Sequence, residues 1–180
     1  MRVISGSAKG RKLLAVPGTT TRPILDRAKK PLFDILRPTL AETSWLDLFA
    51  GSGGVGIEAL SEGAAHCTFV DLEQKAIKTI KDNLQNTGFL DQSEVFHSDA
   101  FQFLRRARKS YDVIYVAPPQ YKGLWSEILR AIAERPQLLS KQGRVIIQID
   151  PKEKEELSLN TLSLIDERSY GKTLFLFYSL

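Results

Sequence analysis

Beyond residue 40 the chain alternates between two rhythms. Short runs rich in apolar and β-branched residues predict strands: SWLDLFA (44–50), CTFVD (67–71), EVFHS (94–98), YDVIYV (111–116) and GRVIIQID (143–150), each bounded by Gly, Asp or Ser. Between them, VGIEALSEG, EQKAIKTIKDNLQNTG, AFQFLRRARK and LWSEILRAIAERPQLL place apolar residues three and four apart, as a helix with one buried face requires. In the second of these, Ala76, Ile77, Ile80 and Leu84 form one stripe, and Gly88 is a stop. Strands that alternate with helices form βαβ units. The expected fold is therefore α/β, a Rossmann-like, mostly parallel sheet covered by helices on both faces.

The two ends change style. TLSLIDERSYGKTLFLFYSL (161–180) reads as two strands joined near Tyr170-Gly171, an antiparallel pair closing one edge. RVIS and RKLLAV around GSAKG resemble a hairpin, followed by the extended TTTRP. DRAKKPLFDILR (26–37) suggests a helix capped by Asp26, with Leu32, Ile35 and Leu36 on its apolar face. Pro31 conflicts with that, so a kink is expected there, or a helix that begins at Pro31. The expected division is a basic hairpin/helix extension over 1–40 and a main domain over 41–180.

Composition narrows the class. With 180 residues, 43% hydrophobic and 26% charged, the chain suits one compact domain and excludes a disordered tail. No apolar run approaches the roughly 20 residues a membrane crossing needs, and MRVISGSAKGRKL lacks the apolar stretch of a signal peptide. The single Cys67 excludes an internal disulfide and, with His66 and His97, is too thin a set for zinc, so no metal is expected. A reducing cytoplasm is the expected compartment.

The net charge of +4 is unevenly spread. Residues 1–40 carry Arg2, Lys9, Arg11, Lys12, Arg22, Arg27, Lys29, Lys30 and Arg37 against Asp26 and Asp34, a balance of +7, leaving −3 for the rest. A basic arm on a mildly acidic body points to a polyanion, nucleic acid foremost; an unevenly charged solvated surface is the plain alternative. Arg105, Arg106, Arg108 and Lys109 read as a solvated helix face.

LDLFAGSGGVGIEAL is a strand, a glycine loop and a helix, with Gly51, Gly53 and Gly56 spelling G-x-G-x-x-G. Asp71 ends the next strand 20 residues after Gly51, where a carboxylate can accept from both ribose hydroxyls. The pattern suits NAD and S-adenosylmethionine alike. Asp47 tips it toward the second, lying beneath the loop where it can meet the amino group of a methionine moiety, and the chain has little room for a second dinucleotide half. Asp99, after the third strand, reads equally as an adenine acceptor, with Ala100 and Phe101 packing on the ring, or as a helix N-cap. VAPPQYKGLW ends the fourth strand; its two prolines fix carbonyls in set directions beside an aromatic ring, which suits a flat, amino-bearing base.

Taken together, RVISGSAKGRKL, TRPILDRAKKPLFDIL, LDLFAGSGGVGIEALSEGA, FVDLE, SDAF, YDVIYVAPPQY and the closing YGKTLFLFY resemble the RsmD-type methyltransferases nearly end to end. The resemblance implies a class I S-adenosylmethionine-dependent fold and methylation of a guanine N2 in small-subunit (16S) ribosomal RNA. It implies that Asp47, Gly51 and Gly53 hold the methionine end of the cofactor, Asp71 the ribose, and Asp99 with Ala100 the adenine, Leu72 completing the set. It places the chemistry on Ala117, Pro118, Pro119 and Tyr121. Lys9, Arg11, Lys12, Arg22 and Arg27 would meet RNA phosphates, which position without reading sequence, within a small-subunit particle and as a monomer.

One departure matters. The wider amino-methylating group carries Asp, Asn or Ser before the two prolines and an aromatic directly after them. Here Ala117 stands in the first place, and Tyr121 comes one residue late. Only backbone roles carry over to Ala117. A catalytically silent RNA-binding relative, and a methyltransferase acting on a non-RNA amino group, stay open as alternatives.

Overall fold

The computed structural model describes residues 1–18 and 26–180, with the backbone alone at Asp26 and Arg27. Seven strands of the described residues form one sheet: β1 (Ser44–Leu48), β2 (His66–Asp71), β3 (Ser93–His97), β4 (Tyr111–Val116), β5 (Leu139–Ile149), β6 (Ser163–Tyr170) and β7 (Thr173–Ser179). Their order is β3-β2-β1-β4-β5-β7-β6. The first five run parallel, and β7 inserts antiparallel between β5 and β6. Composition sorts the last two strands. TLFLFYS is apolar on both faces and takes the interior place, while SLIDERSY is largely exposed and takes the edge.

Among the described residues five α-helices flank the sheet: α1 (Asp26–Leu36), α2 (Gly54–Ser61), α3 (Gln74–Thr87), α4 (Ala100–Arg106) and α5 (Leu124–Ala133). Side chains alternate along each strand, so the sheet has two buried faces. α1, α2 and α3 cover the face that carries Trp45, Phe69, Tyr115, Ile146 and Phe175. α4 and α5 cover the other, with Leu46, Val70, Ile114 and Ile147. The α3 stripe is buried as expected, and Gly88 ends that helix with φ +82°.

Several boundaries differ from expectation. α5 stops at Ala133 because Pro136 drives Arg135 out of the helical region (φ −132°, ψ 61°), and a short 3-10 turn follows. β5 begins at Leu139, before Gly143, with a register shift against β4 between Tyr111 and Val113. α1 does not begin at Pro31 but at Asp26, with the proline inside it. Burial of Ala28, Leu32, Phe33 and Leu36 outweighs the missing hydrogen bond; Phe33 stacks on Trp45 at 5.8 Å, and Ile35 is only half-buried. The Asp26 cap and the TTTRP segment lie outside the described residues.

The N-terminal hairpin forms through Val3 N–H to Arg11 O (3.0 Å), Gly10 N–H to Val3 O (2.9 Å) and Leu13 N–H to Met1 O (3.0 Å). It lies along α2. Ser7 N–H donates to Ser61 O at 2.8 Å, and Val3, Ala8 and Leu13 join the core shared by α1 and the sheet.

Candidate functional site

From β1 the chain passes to β2 and β3 on one side, then returns to β4 on the other. That reversal opens a crevice beyond the C-terminal ends of β1 and β4, where open α/β sheets hold their ligands. Leu48 pairs with Val116, so the glycine loop and the double-proline loop leave the sheet side by side. Asp71 at the end of β2, Asp99 after β3 and Asp150 after β5 line the same edge.

The glycine loop is bent sharply. Phe49 adopts φ +63°, a strained value for an aromatic residue, Gly51 has φ +58°, and Gly53 (φ +80°) is the N-cap of α2. Gly56 serves packing instead: a Cβ there would lie 2.3 Å from Phe69 Cε1 and 2.6 Å from Cys67 Sγ.

Three side chains hold the loop. Asp47, buried beneath it, accepts from Gly56 N–H at 3.1 Å, and burial pushes its carboxyl up to about 7. Asp71 accepts from Gly51 N–H at 2.8 Å through one oxygen and from Glu73 N–H at 2.9 Å through the other. Each carboxylate oxygen retains a lone pair for a ligand hydroxyl. Asn83, wholly buried on α3, donates to Ser52 O (2.9 Å) and Leu14 O (3.1 Å) and accepts from Leu14 N–H (2.8 Å). It ties the loop to the N-terminal segment. Sequence reasoning missed Asn83, whose signal was a polar residue inside the apolar stripe of α3.

Leu72 projects beside Asp71, 61% exposed, and its carbonyl contacts His97 Nε2 at 2.8 Å. Asp99 is the N-cap of α4, accepting from Gln102 N–H at 3.0 Å; Ala100 is buried and Phe101 half-buried behind it.

On the other wall Ala117 is half-buried, Pro118 buried, and Pro119 and Gln120 exposed. Tyr121 is 64% exposed and holds φ +60°. Glu153 fixes it, accepting from Tyr121 N–H at 2.7 Å while its other oxygen accepts from Asp150 N–H at 3.2 Å. Lys152 N–H, and then Tyr121, hold the Asp150 carboxyl below its ordinary value. Glu153 was also missed, although Asp150-Pro-Lys-Glu153 is a legible capping box.

The basic arm divides into two sets. Lys9, Arg11 and Lys12 are exposed on the hairpin, whereas Arg22 and the Arg27 side chain lie outside the described residues. The other three cations of its second half are neutralised within the protein. Lys29 is buried against Glu58 at 2.8 Å, Lys30 pairs with Asp34 at 2.8 Å, and Arg37 meets Glu62 at 2.8 Å and Asp34 at 2.9 Å. In the second basic cluster Arg105 and Arg106 sit exposed in the last turn of α4, and Lys109 pairs with Glu94 at 2.5 Å.

A family model described as "Conserved hypothetical protein 95" matches residues 1–179. The chain is 40% identical over 176 residues to the "Putative rRNA methyltransferase YlbH" of Bacillus subtilis, covering 96% of this chain and 95% of that one. It is 31% identical over 181 residues to the "Ribosomal RNA small subunit methyltransferase D" of Haemophilus influenzae, covering 99% and 93%. Among solved structures, the "Putative methyltransferase yhhF from Escherichia coli" superposes with a TM-score of 0.87 at 29% identity, covering 99% of this chain and 96% of that one.

Proposed function

The chain belongs to the Conserved hypothetical protein 95 family, and on that premise we propose that it is an S-adenosylmethionine-dependent methyltransferase acting on a guanine N2 amino group of 16S ribosomal RNA. One observation carries the reading: the glycine loop and the rigid double-proline loop open side by side at the switch point of the sheet. The ribosomal RNA methyltransferases among its relatives support the same substrate class.

The residues present fit the cofactor. Open space lies where a Gly51 Cβ would be, so a ligand can approach the backbone closely. Asp47, Gly51 and Gly53 would hold the methionine end, Asp71 the ribose hydroxyls, and Leu72, Asp99 and Ala100 the adenine side. When bound, the cofactor supplies a sulfonium-activated methyl group. The chain's task is then mainly positioning, worth roughly 7–11 kcal/mol at best.

The guanine amino lone pair is delocalised into its ring. The Ala117 and Pro118 carbonyls, fixed by two prolines, accept from the N2 hydrogens and favour the electron pair on nitrogen. Pro119 keeps that backbone rigid, and no strong base is required because the proton is shed to solvent afterwards. Tyr121, held by Glu153, offers a surface for a base splayed out of folded RNA; stacking gives about 1–3 kcal/mol against an extrusion cost of a few. Lys9, Arg11 and Lys12, with Arg22 and Arg27, would contact phosphates, making 1–40 the RNA-facing extension of the catalytic 41–180. The setting is a cytoplasmic small-subunit particle met by a monomer.

Labelled cofactor, undermethylated small-subunit particles and mass mapping of the RNA test this. One new methyl group on a guanine N2 is expected. No transfer by the wild type, with transfer restored in Ala117→Asn, would instead identify a silent relative.

A further inference from the structure

The double-proline loop presents backbone acceptors to an amino group, but those carbonyls do not read the rest of the base. The neighbouring strand supplies a candidate. Tyr115 pairs with Ile146, so two residues further along, Ala117 and Gln148 stand level on adjacent strands and on the same face of the sheet. Asp47 pairs with Tyr115 and shares that face. Ala117 contributes only a methyl group there, beside the longer Gln148.

Gln148 is held in one orientation. The buried Tyr115 hydroxyl donates to Gln148 Oε1, which fixes the amide with its oxygen inward and Nε2 outward. Gln148 is half-buried, and its Nε2 has no acceptor among the described residues. Beyond it, Phe175 pairs with Gln148 across β7 and is buried, and Tyr170 packs against Phe175 at 6.2 Å. A directed donor beside the amino-accepting carbonyls, on an apolar floor, suits a base with a carbonyl on the same edge as its amino group.

We infer that Gln148, oriented by Tyr115, donates to the 6-carbonyl of the target base and so selects guanine, making Gln148 a specificity-determining residue. The inference rests on the methyltransferase reading above. A purine with an amino group at position 6 would set donor against donor, leaving both unpaired, a mismatch that discriminates strongly between bases.

The test uses small-subunit particles reconstituted with either guanine or 2,6-diaminopurine at the methylated position. The analogue keeps the 2-amino group and replaces the 6-carbonyl with an amino group. Single-turnover transfer by the wild type should favour guanine by about tenfold or more. Gln148→Leu should bring the two rates within about twofold of each other. Gln148→Glu, which keeps the Tyr115 hydrogen bond and turns the outward donor into an acceptor, should reverse the preference. Tyr115→Phe should narrow the preference partway. Affinity for S-adenosylhomocysteine, measured by calorimetry, should stay within about twofold in all three. If Gln148→Leu and Gln148→Glu change both rates equally, or neither, the inference is overturned while the functional reading stands. If the wild type methylates neither particle, the functional reading falls and the inference with it.

Discussion

Removing the Glu58 carboxylate should weaken the anchoring of the N-terminal segment on the body of the protein and lower its stability. Glu58 lies on α2, wholly buried, and four groups converge on it. Lys29 Nζ approaches to 2.8 Å, the Ile4 N–H donates at 2.9 Å, the Ser5 N–H at 2.8 Å and the Ser5 hydroxyl at 3.1 Å. Glu58→Ala would leave the Lys29 ammonium with one acceptor, Arg2 O at 2.9 Å, and two backbone donors with none. Breaking a buried ion pair costs about 3–5 kcal/mol. The orphaned donors do not add in full, because water can enter the space vacated. Native proteins of ordinary stability have about 5–15 kcal/mol, so this one change removes a large fraction. For a chain of this size it corresponds to a fall in Tm of about 6–20 °C. Urea unfolding with an unchanged slope is the assay. Lys29→Met combined with Glu58→Leu should recover part of the loss, since no charge is then left unpaired, though the Ile4 and Ser5 donors stay orphaned. A loss below about 1 kcal/mol in Glu58→Ala, or a double variant no more stable than it, would refute the reasoning.

Asp71→Ala should weaken cofactor binding by about 1.5–3 kcal/mol in calorimetry, because it removes the acceptors proposed for the ribose and frees the Gly51 N–H that shapes the loop. Burial raises Asp47 from 3.8 to about 7, so the folded chain keeps a proton that the unfolded chain sheds. The contribution of Asp47 to stability should therefore fall as pH rises from about 4 to about 7, and Asp47→Asn should remove that component from the urea-midpoint profile. Ionised Asp47 also suits an ammonium, so cofactor affinity should rise through pH 7 in the wild type and not in Asp47→Asn. Charge reversal at Arg11 and Lys12 together should lower RNA affinity and flatten its salt dependence in filter-binding titrations, with cofactor affinity unchanged; an unaltered salt slope would remove the hairpin from the RNA interface.

Much of the molecule was legible in the sequence alone. Period-two runs and three-four spacing depend on local geometry and on which face is buried, so every strand after residue 40 and every helix of the main sheet could be named, as could the glycine turn and the carboxylates at strand ends. Boundaries drifted where a long-range partner decides them: α1 runs through Pro31 because Phe33 and Leu36 find the sheet, and β5 starts early because β4 is there to pair with it. Charge was legible as a count and not as a surface. Nine cations in the first forty residues looked like one patch, yet Lys29 and Arg37 are consumed by Glu58 and Glu62, acidic residues outside that segment. The same limit hid Asn83, Glu153 and Gln148. Each acts on a backbone or side chain 31 to 69 residues away, and no pattern along the chain encodes such a meeting. Local sequence selects the element; which side chains face one another across a crevice is set by the order in which strands enter the sheet, and that order is a property of the whole core.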